Sequence, residues 1–420
     1  MSYPRHELAY TPGDIGFGES KSGLVPALLW FCLLVWVARV TVFVRQRGDF
    51  AAVDLHAGVQ IAVVLFMFLV LLLSARVAPM WSRLARTSVR LLFLYYILSA
   101  ISALWSSMPS YTAYRAFEFI VSLMAIFVAL SYSPNFVAAE RKALFISFVV
   151  LILSMYVNIK FYGFSFSLFD WHTNSYSATA AIMFCYCIGE YFSADKTRAR
   201  LLKRYGILSL GALILGTSAA SNIAALCGIV VLLFLYRKLG WVTAAIVLLS
   251  MFFLVGSDFS FFRDILFPGK TEQEIATLSG REQMWETFKL MVAERPFYGH
   301  GFAVLSTGRG EVFASHPHNS LYSILLGTGA IGALAFGFYL FRLLREGMQT
   351  ARHRLPGAIG CAGALAAALV NSLAMPLVGD QYEESSLVFC CMMALFVIFV
   401  VLPHKGKRKD LATNEHEMVF

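Results

Sequence analysis

Apolar residues in this chain are gathered into long blocks that contain almost no charge. Because the hydrocarbon core of a bilayer is about 30 Å thick, a helix that crosses it needs about 20 such residues. Of the 420 residues, 59% are hydrophobic and 14% are charged, whereas about 25% of the residues in an ordinary soluble domain are charged. The sequence therefore predicts an all-α polytopic membrane protein.

The apolar blocks predict twelve membrane-spanning helices with mostly short connections between them. Two blocks, 205–219 and 221–236, are short and almost touch, so they could form a tight hairpin or one broken span. The hydrophilic segments 1–23 and 403–420 are expected to be tails. The predicted spans cover residues 24–44, 56–75, 88–104, 113–132, 143–162, 174–193, 205–219, 221–236, 241–257, 318–341, 356–375 and 385–402.

Lysine and arginine residues are distributed unequally between alternate connections, which predicts the orientation of the helices. With the N-terminus in the cytoplasm, the segments on that side contain 23 Lys and Arg residues, whereas the short outer connections contain only Arg45, Arg47 and Lys160. An even number of spans then places both termini in the cytoplasm. Because the cations lie in short connections between apolar blocks, a nucleic-acid partner is excluded.

All seven cysteines lie within apolar blocks. A secreted disulfide framework would place them in hydrophilic loops, and neither Cys185 with Cys187 nor Cys390 with Cys391 has the spacing of zinc ligands. We expect the cysteines to be small hydrophobic core residues. The sequence also contains no metal-ligand, Walker, Rossmann or GxSxG motif, so we expect neither a metal ion nor another cofactor.

One hydrophilic segment, residues 258–317, is much longer than the other connections and falls on the outer side, between the ninth and tenth spans. Long loops are usually functional. Within it, Ser279 and Glu282 have the spacing of a capping box, and apolar residues then recur at helical spacing until Pro296. We predict an amphipathic helix that lies on the membrane surface or covers the outer end of the bundle. Its apolar face comprises Met284, Trp285, Phe288, Met291 and Val292.

Polar residues that are costly to place near a membrane are concentrated at the predicted outer boundary. Four separate segments bring them there, and ionisable residues in such positions are functional candidates. Aromatic residues around them, including Trp285 and Tyr322, suit a sugar face or an isoprenoid tail, although membrane interfaces have the same composition. The polar candidates are Arg115, His172, Asn174, Arg281, His316, His318 and Asn319.

Each candidate also has an ordinary structural interpretation. Arg115 could extend to the interface or pair with a glutamate one turn away, and His172 could be an interfacial histidine. The pair His318 and Asn319 could simply begin a helix. Arg281 could be a solvated first-turn residue, although a cation there opposes the helix dipole. The occurrence of all of them on one side favours a shared site.

The types of residue in this set point to transfer chemistry on a phosphorylated substrate. Two arginines suit a phosphate or pyrophosphate, because planar guanidinium groups match its oxygens and remain charged. A histidine that titrates near neutral pH suits the removal of a proton from a hydroxyl group. Without a metal motif, the predicted chemistry is metal-free transfer at the outer face.

Several short motifs occur in a fixed order within residues 95–335, and together they resemble the O-antigen ligase/Wzy polymerase superfamily, which includes exopolysaccharide polymerases similar to the succinoglycan enzyme. No single motif is specific, and the ordered set carries the resemblance. Many members also have a basic residue after a Ser/Thr run, and Thr217–Asn222 has none. The motifs are Leu104-Trp105-Ser106-Ser107 with Tyr114-Arg115-Ala116, His172-x-Asn174, Gly280-Arg281-x-x-x-Trp285, Pro296-x-x-Gly299-x-Gly301, His318-Asn319-Ser320 and Gly327-x-Gly329-x-x-Gly332.

The resemblance implies a GT-C-type membrane glycosyltransferase of the bacterial inner membrane, with its active site facing the periplasm. It implies an undecaprenyl-pyrophosphate-linked glycan as donor, and metal-independent inversion by direct displacement. By similarity, Arg115 and Arg281 would hold the pyrophosphate and His318 would activate the acceptor hydroxyl. The residues expected to bind and orient the substrates are Asn319, His172, Asn174, His316, Trp285 and Tyr322.

Two reactions compete within the resemblance. A polymerase transfers the glycan to another lipid-linked repeat unit, whereas an O-antigen ligase transfers it to lipid A-core. The tryptophan–serine run before the fourth span favours the polymerase, with a chain-length co-polymerase as a candidate partner. From a different class, a polysaccharide transporter or flippase would have internal repeats and a site near the midplane. The sequence has no repeat at half-length, and Arg39, Glu118 and Glu190 lie off-centre.

Overall fold

The structure is a computed structural model in which every regular element of the described residues is helical, as predicted. Side chains are described in the same ranges except at 39–42, 56, 157–162, 174–175, 281–283 and 384. The described residues are 23–42, 55–162, 174–216, 218–238, 240–241, 281–304, 317–375, 377 and 384–405.

We number the α-helices of the described residues in chain order. A 3-10 turn at Ser102–Leu104 extends the fourth helix, and a π-helix at Val397–Val401 extends the last one. The helices are α1 (Leu24–Val42), α2 (Leu55–Leu72), α3 (Val77–Leu84), α4 (Val89–Ile101), α5 (Pro109–Ser131), α6 (Phe136–Tyr162), α7 (Asn174–Tyr191), α8 (Lys196–Leu215), α9 (Ala219–Leu235), α10 (Arg281–Glu294), α11 (Ser320–Arg352), α12 (Ala358–Asn371) and α13 (Glu384–Phe396).

Three helical segments of the described chain are long and apolar enough to cross a membrane, and a bent pair would make a fourth. They are α5, α11 and the segment Ser385–Lys405, while the bent pair is α2 with α3. Shorter apolar helices coincide with α1, α4, α9 and α12. An all-helical membrane protein is therefore supported, whereas the number of twelve spans stays a prediction. The predicted span 241–257 lies outside the described residues apart from its first one.

A sharp bend follows the predicted span 56–75 and leads into the short helix α3, where the sequence predicted only a connection. Helix α2 ends at Leu72, and its axis and that of α3 meet at 91°. The hydroxyl of Ser74 accepts the backbone N–H of Arg76 at 3.3 Å and lies 3.2 Å from the hydroxyl of Tyr132. The Arg76 guanidinium donates to the carbonyl of Ser131 and lies over the Tyr132 ring. These contacts with the end of α5 fix the bend.

Helices α6 and α8 begin earlier than the predicted spans 143–162 and 205–219, because each includes charged residues that precede its apolar block. Helix α8 starts at Lys196, and the carboxylate of Asp195 caps it by accepting the backbone N–H groups of Thr197 and Arg198 at 2.8 Å. The blocks 205–219 and 221–236 form two separate helices. Helix α8 packs on α7, whereas α9 packs on α12 and α7.

Helix α7 lies at the centre of the described bundle, where α6, α8, α9, α12 and α13 contact it. Small residues allow these helices to approach closely. A Cβ atom on Gly189 would lie 2.6 Å from the Cα atom of Gly360, so α7 and α12 touch at their backbones. Six cysteines are buried and Cys227 is partly buried, all as free thiols, which confirms their predicted place in the core.

Helix ends that were predicted to face the cytoplasm meet in one buried charge cluster. Arg198 of α8 forms ion pairs of 2.6 Å with Glu140 of α6 and with Glu190 of α7. Glu190 also accepts the backbone N–H groups of Gly357 and Gly360, at the start of α12. Burial lowers the pKa of Arg198, but its hydrogen bonds to Glu140 and the negative charges of Glu190 and Glu140 together outweigh burial and raise that pKa above its ordinary value.

Candidate functional site

The predicted amphipathic helix is present as α10 and lies against the first turns of α11. Phe288 and Met291 are buried against Leu326 of α11. The ring of Trp285 lies 5.9 Å from the ring of Tyr322, centroid to centroid. The apolar face of α10 therefore covers α11. The predicted cap, Ser279, lies outside the described residues.

Asn319 begins α11 and ties it to the chain that follows α12. Its side-chain oxygen accepts the backbone N–H groups of Leu321 and Tyr322 at 2.8 and 3.2 Å, which is an N-cap. Its side-chain nitrogen donates to the carbonyl of Leu373 at 3.0 Å. The structural interpretation of Asn319 is thus confirmed, and the residue also fixes the backbone next to His318.

The residues after α12 form a second connection to the start of α11. The backbone N–H of Ser320 donates to the carbonyl of Ser372 at 2.8 Å, and the Ser320 hydroxyl accepts the N–H of Leu377 at 3.0 Å. The first turn of α9 reaches the same place, because the Ser221 hydroxyl donates to the Asn371 side-chain oxygen at 3.2 Å. The start of α11, the end of α12 and the start of α9 therefore converge here.

His318 has a left-handed backbone conformation, with a φ angle of 48°. Its side chain is partly exposed. The carbonyl of Pro317, on one side, accepts the indole N–H of Trp285 at 3.3 Å, and the N-cap Asn319 follows on the other side. Left-handed non-glycine residues are uncommon and cluster at functional sites. The backbone around His318 is thus held from both sides.

Arg115 lies in the second turn of α5 and forms an ion pair with Glu118, as its structural interpretation allows. Glu118 is completely buried. Its carboxylate also accepts the indole N–H of Trp36 at 2.7 Å and the side-chain amide of Gln60. Three helices, α1, α2 and α5, therefore fix the orientation of Arg115. Because a guanidinium has five N–H donors, pairing with Glu118 is compatible with contact to an anionic substrate.

The segment Pro296–Phe302, which follows α10, lies beside a break in α11. Gly329 interrupts the helix with φ 64° and ψ −161°. Four backbone hydrogen bonds of 2.7 to 3.2 Å join the segment to residues 326–331, so the segment satisfies groups that the break leaves unpaired. They run from His300 N to Leu326 O, from Gly301 N to Gly327 O, from Ala330 N to Pro296 O and from Ile331 N to Phe297 O.

The same segment contacts the α4–α5 connection on its other side. The indole N–H of Trp105 donates to the carbonyl of Tyr298 at 3.1 Å. The hydroxyl of Thr112 donates to the carbonyl of Phe302 at 2.9 Å. Thr112 precedes Arg115 by three residues on α5, so these contacts position the helix that carries Arg115. Motifs that are far apart in the sequence are thereby brought together.

Gly301 fits closely against Ser106, which predicts a large cost for any side chain at that position. The φ angle of Gly301 is 112°, and a Cβ atom there would lie 2.6 Å from the Cβ atom of Ser106. We expect Gly301→Ala to lower the free energy of unfolding by about 1–3 kcal/mol through overpacking. The melting temperature of the purified protein in detergent measures this loss.

Gly337→Ala is the matched control, because a Cβ atom at that helical position meets nothing within 4 Å. Alanine stabilises a helix interior relative to glycine, so we expect an unchanged or slightly higher melting temperature. A melting temperature that fell equally in both variants would show that the contact between Gly301 and Ser106 has no special role.

The structure brings some predicted site residues together and leaves others undescribed. Trp285, Tyr322, His318 and Asn319 lie together where α10 meets α11, and Arg115 lies on α5, which the 296–302 segment contacts. Arg281 is the first residue of α10 and Asn174 the first of α7, but neither side chain is described. The undescribed candidates are His172 and His316.

Sequence reasoning missed the side chains that join these segments. Thr112 and Ser102 each bond to Phe302, with Ser102 accepting its backbone N–H at 2.9 Å. Hydroxyl groups are common in apolar helices, where they bond to their own backbone, so nothing in the sequence distinguished these two. Trp36 and Gln60 were missed for the same reason, because each lies in an ordinary apolar block.

These observations define a helical membrane protein in which ordered motifs from separate segments meet around the starts of α5 and α11. Residues 205–337 match the family model Wzy_C, described as O-Antigen ligase, which supports the resemblance to the O-antigen ligase/Wzy superfamily. The matched part includes Arg281, His318 and Asn319, whereas Arg115 precedes it. A search of curated proteins finds no match to the chain.

Proposed function

We propose that the protein is a polysaccharide polymerase of the bacterial inner membrane, metal-independent and inverting. It transfers a glycan from an undecaprenyl-pyrophosphate-linked donor to a sugar hydroxyl of another lipid-linked repeat unit at the periplasmic face. The match of residues 205–337 to the O-antigen ligase family carries the proposal, because that stretch contains both Arg281 and His318.

The proposed reaction is a single displacement at the anomeric carbon of the donor. The acceptor hydroxyl oxygen forms a bond to that carbon while the bond from the carbon to the pyrophosphate oxygen breaks. His318 accepts the hydroxyl proton, and the pyrophosphate leaves with the bonding electron pair. Because the acceptor attacks from the face opposite to the leaving group, the configuration at the anomeric carbon is inverted.

Arg115 and Arg281 bind the departing pyrophosphate in this proposal. Negative charge grows on the leaving oxygen as its bond breaks, so positively charged donors stabilise the transition state more than the ground state. Guanidinium groups suit this role because they bind phosphate oxygens with two parallel hydrogen bonds. Glu118, held by Trp36 and Gln60, keeps Arg115 in one orientation before the donor binds.

The surroundings of His318 support its proposed role as the base. A general base must lie within hydrogen-bond distance of the hydroxyl in the bound state, so its backbone must be well fixed. The Trp285 contact to Pro317 and the Asn319 cap provide this. Trp285 and Tyr322 offer ring faces to a sugar. The further residues proposed to orient the substrates are Asn174, His172 and His316.

Ligation to lipid A-core is the alternative that a specific observation favours, because the matched family is described as O-Antigen ligase. The bond that forms and the bond that breaks are of the same kind in both reactions, and only the acceptor differs. The same site residues would therefore serve either activity.

The two reactions are separated by supplying lipid-linked repeat units as the sole substrate to the purified protein in nanodiscs. We expect a ladder of products that grows by one repeat unit per step, and an unchanged rate after a metal chelator is added. Glycan transfer that begins only after lipid A-core is added would identify a ligase. A requirement for a divalent metal, or no transfer to either acceptor, would overturn the proposed chemistry.

A further inference from the structure

A groove with basic and apolar walls lies far along α11 from the candidate site, at the helix end predicted to face the cytoplasm. It has a volume of about 630 Å³ and lies between α4, α11 and Lys405, the last residue of the helical segment Ser385–Lys405. At 1.5 Å per residue, its nearest lining residue on α11 is about 30 Å from His318 along the helix. The residues that line it include Leu91, Phe338, Phe341, Arg342, Arg345 and Lys405.

The lining of the groove changes from apolar to cationic along one face of α11. Phe338 and Phe341 are 60% and 66% exposed, although both are large and apolar. Arg342 and Arg345 follow on the same face, within about 10 Å of Phe338 at the rise of an α-helix. A phospholipid has the same order of groups, because its apolar acyl chains lie next to a headgroup that contains a negatively charged phosphate.

A buried carboxylate organises the cationic end of the groove. Glu346 is 4% exposed and accepts the hydroxyl of Ser88 at 2.7 Å and the Lys405 ammonium at 2.6 Å. Lys405 and Arg342 both donate to the backbone carbonyl of Arg86, at 3.0 and 3.1 Å. The two cations are thus held in fixed positions rather than extending freely into solvent.

Arg345 supplies a positive charge that no described partner neutralises. Its side chain is exposed, and it forms no hydrogen bond or ion pair with another described residue. Three cations and one carboxylate line the groove, which leaves a net charge of +2 beside an apolar wall. Positive charges are expected at any helix end that faces the cytoplasm, but an apolar groove beside them is not part of that expectation.

We propose that this groove is a binding site for one anionic phospholipid of the leaflet facing the cytoplasm. The phosphate binds Arg345 and Arg342, while Leu91, Phe338 and Phe341 contact the first part of the acyl chains. Basic pockets between membrane helices on that side bind anionic headgroups, and the volume lies within the range of about 300–1,000 Å³ for small-molecule sites. The site is separate from the proposed glycan transfer.

The test measures lipid retention by native mass spectrometry of the purified full-length chain. Phosphatidylglycerol and phosphatidylethanolamine with identical acyl chains are supplied in equal amounts. We expect the wild-type protein to retain phosphatidylglycerol preferentially and Arg345→Gln to weaken that binding about fivefold, as expected for one cation near a charged headgroup. Arg345→Gln should fold normally, because its side chain has no described partner to lose.

Arg352→Gln is the matched control, since Arg352 is exposed on the same helix but does not line the groove. It should leave the lipid preference unchanged. The proposal is overturned if both variants lose phosphatidylglycerol equally, if the wild type has no preference, or if Arg345→Gln keeps it. Release of the lipid by millimolar inorganic phosphate would show a free-anion site instead. Glycan transfer is not part of the readout, so these outcomes do not depend on the catalytic proposal.

Discussion

Replacing His318 with asparagine is expected to lower the rate of glycan transfer about 10²–10⁴-fold, the usual contribution of a general base. Asparagine tolerates the left-handed conformation of this residue, so the backbone should keep its course between Pro317 and the Asn319 cap. Its amide cannot accept a proton at neutral pH. The initial rate of elongation of a lipid-linked repeat unit measures the loss.

His318→Ala serves as the companion variant, because alanine lacks the base and fits the left-handed conformation less well. Both variants should lose transfer to a similar degree, whereas His318→Asn should melt at the wild-type temperature. Wild-type turnover by His318→Asn would remove the base assignment. A transfer rate that followed the melting temperature across the two variants would instead assign His318 a structural role.

Arg281→Lys is expected to be nearly as damaging as Arg281→Ala, although lysine keeps the positive charge. An ammonium group cannot reproduce the two parallel hydrogen bonds that a guanidinium forms with a pyrophosphate. Loss of one preorganised donor to a developing negative charge usually lowers kcat about 10²–10³-fold. The expected result is a fall of this size in kcat for both variants, measured with saturating donor.

Lys289→Ala provides the control for Arg281, since it removes a cation from the same helix α10. Lys289 is exposed and forms an ion pair with Glu286, which is also exposed. Exposed ion pairs contribute little to stability, so we expect wild-type kcat. If Arg281→Lys restores full turnover, two-point binding of the pyrophosphate is wrong and a point charge is sufficient.

The helical class and the amphipathic helix α10 could be predicted because both follow from local patterns. Long apolar blocks coincide with most of the described helices. The spacing of Trp285, Phe288 and Met291 on one face predicted which side of α10 would be covered, and that face packs on α11. Hydrophobic periodicity carries this information because it records which side of an element is buried.

The bend between α2 and α3 could not be predicted from apolar content. Helix α2 fills most of the predicted span 56–75, and the bend that follows it is fixed by contacts with the end of α5, some 55 residues away. The early starts of α6 and α8 were missed for a related reason. Charged residues at the end of an apolar block indicate the membrane boundary, but a helix continues beyond that boundary when its first turn is capped.

The candidate site was only partly predictable. The pairing of Arg115 with Glu118 follows from their three-residue separation on one helix, so it was among the expected alternatives. The support of Glu118 by Trp36 and Gln60 depends on how α1 and α2 pack against α5, which no local pattern encodes. The positive φ angles of Gly299, Gly301 and Gly329 explain why glycines recur in two of the motifs, because those backbones approach each other closely.

The most direct test is an experimental structure of the protein with undecaprenyl pyrophosphate bound. We expect the guanidinium groups of Arg115 and Arg281 to contact the pyrophosphate oxygens at about 2.7–2.9 Å, as in other charge-assisted hydrogen bonds. His318 should face the same pocket, on the side from which an acceptor would approach. A pyrophosphate bound elsewhere, or the two arginines and His318 on opposite sides of the membrane, would contradict the proposed transfer site.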